Sequence, residues 1–97
     1  MSVFVIVDIS VKNEPEYKKY IELITPSVAA YGGRYLVRGG NPEALDGEWQ
    51  SSRIVVMEYP DRDTARAWLN DDKLKGVHDM RRDNSYYCNM IVCDSLS

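Results

Sequence analysis

The chain has 97 residues, 44% of them hydrophobic and 28% charged, with a net charge of −3 from 12 Lys and Arg against 15 Asp and Glu. That balance is ordinary for a soluble globular domain and includes no basic tract, which argues against nucleic acid as a partner. No apolar run approaches the roughly 20 residues that cross a bilayer, so no membrane partner is expected, and the length fits one domain, residues 1–97, whose modest core a second copy would enlarge.

The opening run Val3-Phe4-Val5-Ile6-Val7 meets Asp8 with no basic segment before it. It reads as a strand over residues 3–11 and not as a signal peptide, so a cytoplasmic location is the default. Asn13 is placed to cap a helix, with Pro15 in its first turn and Glu16 at the capping-box position. The apolar face of that helix is Tyr17, Ile21, Ile24 and Val28, and Pro26 inside it predicts a kink or a division in two. Gly32-Gly33 ends it near Tyr31.

A second strand runs from Arg34 to Arg38, closed by Gly39-Gly40. Regular alternation points Arg34, Leu36 and Arg38 one way and Tyr35 and Val37 the other. Residues 39–52 form a long connection containing Trp49, and a third strand covers Arg53 to Tyr59. Asp61 caps a second helix buried through Ala65, Trp68 and Leu69, and Asp71-Asp72 caps a further segment whose face is Leu74, Val77, His78 and Arg81. A fourth strand spans about Tyr86 to Cys93.

The order β-α-β-β-α-β in under a hundred residues predicts an α+β class, a ferredoxin-like βαββαβ sandwich with a four-stranded antiparallel sheet and helices on one face. Strand parity then separates two surfaces. Val5, Val7, Ile9, Tyr35, Val37, Val55, Met57, Cys88, Met90 and Val92 belong beneath the helices. Phe4, Ile6, Asp8, Arg34, Leu36, Arg38, Ile54, Val56, Glu58, Tyr87, Asn89 and Ile91 fall on the bare face. That face is too apolar for open water, so a second copy or a ligand should cover it, and Asp8, Glu58 and Arg38 can neutralise one another.

The block from Tyr31 to Gly40, the Asp46-Gly47-Glu48-Trp49 turn, the strand from Arg53 to Pro60 and Ala65-Arg66-Ala67-Trp68 together resemble family 1330 of domains of unknown function, over about residues 3 to 94. The resemblance implies a dimeric α+β barrel, a homodimer whose two sheets face each other. That superfamily includes metal-free monooxygenases, muconolactone isomerases and haem-degrading enzymes, while the family itself has no settled activity. Where relatives often have a Ser-Pro-Glu-Tyr type turn, this chain has Asp71-Asp72-Lys73-Leu74, so a pocket shaped there would take a different substrate.

Several residues carry candidate chemistry. Arg38 and Arg34 offer rigid donor forks for a carboxylate or carbonyl, or else pair with Asp8, Glu58 or a partner subunit. Asp8 and Glu58 lie on neighbouring strands, where two close carboxylates would raise one pKa and tune a general acid or base. His78, the only histidine, can move protons near neutral pH or ligate haem iron, or it packs. Tyr17 and Tyr35 can donate phenolic hydrogen bonds to a ligand, and Asn89, on the bare face with Asp8 and Glu58, is a further polar contact for one. Trp49 can lid a pocket or anchor the dimer. Cys88 and Cys93, about 16 Å apart on opposite faces of one strand, cannot form a disulfide. No nucleophile motif, phosphate loop or metal-ligand spacing occurs, so no cofactor is expected. Two functions follow: a cofactor-free binder or enzyme, isomerase-like or monooxygenase-like, for a small carboxylic acid or ketone, and a non-catalytic dimeric domain whose charges fix sheet pairing.

Overall fold

In the computed structural model residues 1–96 are described, and Ser97, the last residue of the expected domain, lies outside them. The elements follow the expected order: β1 (Val3–Val11), α1 (Glu14–Ala30), β2 (Arg34–Gly39), β3 (Arg53–Tyr59), α2 (Arg62–Leu69), a 3₁₀ turn (Asp72–Leu74), α3 (Lys75–Asp83) and β4 (Ser85–Asp94). The four strands form one antiparallel sheet in the order β2-β3-β1-β4.

Local chemistry sets the boundaries. The Asn13 side chain accepts from the Glu16 amide at 3.2 Å and the Asp61 side chain from the Thr64 amide at 2.7 Å, capping α1 and α2. At the other end of α1, Gly32 and Gly33 donate to the carbonyls of Ala29 and Val28 at 2.9 and 2.8 Å. This is a Schellman closure, and it needs the positive φ of 75° at Gly32. Gly33 serves a different purpose: a Cβ there would stand 2.7 Å from the Tyr59 ring, so only glycine lets the chain pass over that buried side chain.

Of the kink or division expected at Pro26, the division does not occur; α1 is continuous over 17 residues. The amide that proline lacks would have bonded the carbonyl of Glu22, and both residues are exposed, so water can take its place. Tyr20 joins Tyr17, Ile24 and Val28 on the buried side of the helix.

Alternate β1 residues Val3, Val5, Val7 and Ile9 are buried against α1 and α2 on one side of the sheet. Each such side chain, fully buried, contributes about 1.5–3 kcal/mol. Trp68, 1% exposed, centres the helical layer. Its ring lies 5.5 Å from Tyr59 and 4.7 Å from His78, and its indole N–H donates to Ser27 Oγ at 2.9 Å, tying α2 to α1.

The strand with the arginines departs from regular alternation. Arg34 pairs with Glu58 and Tyr35 with Met57, but Val37 then pairs with Val56 and Arg38 with Val55. Leu36 is the extra residue of a β-bulge, and beyond it every side chain changes face. Val37 therefore moves to the bare face. Arg38 moves beneath the helices, so the expectation that both arginines point the same way is wrong.

Candidate functional site

The bulge divides the expected site residues between the two faces of the sheet. On the bare face Arg34 and Glu58 form an ion pair, with Arg34 Nε and Nη2 each 2.8 Å from Glu58 Oε1. Ser2 Oγ donates to Glu58 Oε2 at 2.8 Å. The Ser2 hydroxyl first, and then Arg34, hold the Glu58 carboxyl below the usual carboxylate range. Glu58 is therefore committed to register and pairing.

Asp8 finds no arginine. Its carboxylate accepts from Ser51 Oγ at 2.5 Å and Tyr87 OH at 3.1 Å on one oxygen, and from Trp49 Nε1 at 3.0 Å on the other. Burial works against its charge, but these hydrogen bonds, led by Ser51, outweigh it and keep the carboxyl below its ordinary range. Asp8 pins residues 49–51 of the long loop onto the sheet. Asp8→Ala should leave three donors without an acceptor and cost about 1 kcal/mol at this partly exposed site. The measurement is urea denaturation with Trp49 emission, whose red shift should report a loosened loop; unchanged emission and stability would overturn this role.

Asp8 and Glu58 are not a dyad. Asp8 lies opposite Ile54, and Glu58 lies opposite Phe4. Four residues along the strand place them about 13 Å apart. Neither shares a face with Arg38, so the expected trio of Arg38, Asp8 and Glu58 does not assemble. Asn89 lies opposite Asp8 on β4 and is exposed. Trp49 is largely exposed beside an open groove of about 310 Å³ lined by Pro42, Glu43, Ala44, Ser51 and Ile54. This groove is built from the loop residues 42–51 with Ile54 from β3, and no arginine lines it among the described residues.

On the helix side a narrow cleft of about 20 Å³ opens between the sheet and α1 and α3. Apolar walls come from Val7, Ile21, Val55 and Met57, and Tyr17, Tyr20, Tyr35, Arg38 and Arg81 supply the polar groups. Arg38 is exposed at the rim, with its guanidinium 3.8 Å above the Tyr35 ring. Tyr17 packs tilted on Tyr20 with ring centroids 5.5 Å apart, and burial, chiefly, pushes its phenol up to about 12. At neutral pH these hydroxyls are donors and not bases.

Arg81 was legible only as part of the buried face of its helix. It is 3% exposed, and its Nη1 donates to Tyr20 OH at 3.1 Å and to His78 Nδ1 at 2.8 Å. Guanidinium only donates, so His78 Nδ1 is an acceptor and the ring is neutral, with its proton on Nε2 facing the Trp68 carbonyl at 3.2 Å. His78 has no exposed surface, and burial first, then the Arg81 charge, lowers its pKa to about 4. Proton transfer and haem ligation by His78 are thus both excluded by its position in the core; it positions Arg81. The three-residue spacing of His78 and Arg81 on an otherwise apolar helix face was the available signal.

Comparison with known proteins agrees with this architecture. The family model described as Domain of unknown function (DUF1330) matches residues 2–96. None of the curated proteins matches the chain. A protein of unknown function from Rhodopseudomonas palustris has a TM-score of 0.83 at 14% identity, covering 99% of this chain and 83% of its own. SnoaB, a cofactor-independent oxygenase from Streptomyces nogalater, has a TM-score of 0.67 at 14% identity, covering 99% and 94%. A dimeric ferredoxin-like protein of unknown function from Jannaschia has a TM-score of 0.67 at 9% identity, covering 98% and 100%. At these identities the likeness is one of fold, ferredoxin-like and α+β. No helix among the described residues is long and apolar enough to cross a membrane.

Proposed function

The chain belongs to the DUF1330 family, and on that premise we propose that it is a one-domain cytoplasmic homodimer that takes a small, largely apolar carboxylic acid or ketone into the cleft between its sheet and helices. The observation that carries this reading is the bulge at Leu36, which places Arg38 over Tyr35 at the rim of a cleft with apolar walls and phenolic donors. A guanidinium there would hold a carboxylate, or stabilise an oxyanion developing on a carbonyl. Cofactor-free chemistry of the second kind has a counterpart in the fold, since SnoaB is a cofactor-independent oxygenase. No carboxylate lines this cleft among the described residues, so Glu58 and Asp8 do not serve as its base. Binding is the primary role, and any catalysis acts through the guanidinium and hydroxyl donors.

The second copy covers the bare face. Val37 and Ile91 are 44% and 60% exposed there, beside Phe4, Ile6, Ile54 and Val56. Such a surface is stable in water when it is shared between two chains. The dimeric protein from Jannaschia has the same fold.

Melting temperature should rise when the purified protein meets small carboxylic acids. Arg38→Ala should weaken that binding about tenfold at unchanged dimer mass, since one charge-assisted hydrogen bond is lost. No shift with any acid or ketone, or loss of dimer and stability together in Arg38→Ala, would overturn the proposal.

A further inference from the structure

The phenols around the cleft differ in what meets their hydroxyls. Tyr20 OH accepts from Arg81 Nη1 at 3.1 Å, and Tyr59 OH reaches Met57 Sδ at 3.9 Å. The Tyr35 hydroxyl interacts with the Thr25 side chain. Tyr17 is the exception. It lines the cleft and is 4% exposed, yet its hydroxyl makes no hydrogen bond among the described residues. A buried phenol ordinarily finds a partner, because an unmet O–H forfeits the hydration it had in water.

That hydroxyl is not sealed away. Among the described residues, Arg81 Nε is the one side-chain polar atom cut off from solvent without a partner, so the Tyr17 oxygen keeps surface that a small group can reach. The cleft volume of about 20 Å³ has room for about one oxygen-sized atom. At neutral pH the phenol is a donor, since burial, above all, pushes its pKa up to about 12.

Arg38 at the rim is unmet in the same sense. Its guanidinium stacks on Tyr35 at 3.8 Å but enters no ion pair among the described residues. The cleft thus offers a neutral donor inside and a cation outside, with apolar walls from Ile21, Val55 and Met57. A carboxylate has two oxygens to place and suits the open guanidinium fork at the rim. The inner space takes one oxygen. A carbonyl fills it well, because it only accepts, whereas an alcohol would leave its own O–H unpaired there.

We infer that the ligand class is a small oxo acid, whose carbonyl oxygen accepts from Tyr17 OH inside the cleft while its carboxylate meets Arg38 at the rim. This rests on the cleft reading above and narrows it, joining in one molecule the acid and the ketone which that reading keeps apart.

Levulinate, α-ketovalerate, pentanoate and methyl propyl ketone share a five-carbon chain and serve as probes in calorimetric titration of the intact protein. One of the two oxo acids should bind at least about fivefold more tightly than pentanoate and than the ketone. Tyr17→Phe removes only the hydroxyl. It should erase the advantage of that oxo acid, leave pentanoate affinity unchanged and leave the urea midpoint no lower, since no bond within the protein is broken. Oxo acids that bind no more tightly than pentanoate overturn the inference and leave the cleft reading standing. So does a Tyr17→Phe variant that keeps the advantage, weakens pentanoate equally or is less stable than the wild type, because the hydroxyl then serves the protein's own packing. No binding of any of the four probes overturns both.

Discussion

Lowering the pH from 7 to 5 should remove about 2 kcal/mol of folding stability, and His78 should account for most of the loss. The folded pKa of His78 is about 4, against an ordinary value of 6.5, because burial and the adjacent Arg81 charge disfavour the imidazolium. Between those values the unfolded chain binds a proton that the folded chain refuses. Stability from this group is thus complete above about pH 6.5 and declines as pH falls toward 4. The window is uncrowded, since the chain has one histidine. Asp8, Glu58, Asp61, Asp71 and Asp79 are all held below ordinary values of 3.8 to 4.5, so their losses set in only as pH falls below about 5, toward those values. Urea midpoints measured between pH 7 and 5 should follow this curve in the wild type. In His78→Gln the curve should be flat, at lower stability. A wild-type profile flat to about pH 5, or a slope that survives in the variant, would show that His78 is not the neutral acceptor of the Arg81 bond.

Trp68→Ala should cost about 3–5 kcal/mol, the largest loss expected from any single truncation here. The side chain is fully buried between Tyr59 and His78 and donates the indole bond to Ser27. Removing it opens a cavity, frees the Ser27 hydroxyl from its donor and withdraws the ring against which His78 is packed. Water entering that cavity would solvate the imidazole, so the pKa of His78 should rise toward 6.5 and the pH dependence above should flatten. Denaturant unfolding followed by Trp49 emission gives both quantities in one variant. A loss below 1 kcal/mol, or an unchanged pH profile in a variant of much lower stability, would separate Trp68 from the Arg81 support.

Much of this molecule was legible along the chain. Val3 to Val11 alternates through a whole strand, Asn13 and Asp61 cap their helices, and Gly32-Gly33 closes α1. These signals act over a few residues, where sterics and backbone hydrogen bonding decide. The division of β1, β3 and β4 into a covered face and a bare one followed from the same local alternation. So did Asp71 as a cap, although the sequence gives no sign that its carboxylate also takes the Tyr31 hydroxyl at 2.5 Å across 40 residues.

The candidate site was less legible, and the reason lies in Leu36. Parity places a side chain only while a strand stays regular, and the bulge arises from how β2 pairs with β3, residues distant in sequence. One extra residue took Arg38 away from Glu58 and Asp8 and put it over Tyr35. Register likewise separated Asp8 from Glu58, because neighbouring strands do not reveal which residues stand opposite. The sequence by itself determined the elements, their caps and the two faces of the sheet, since those depend on short-range pattern. Only the tertiary structure decided which cations share a cleft, because the partners of Arg38 and Arg81 come from separate elements and a buried charge is defined by what surrounds it.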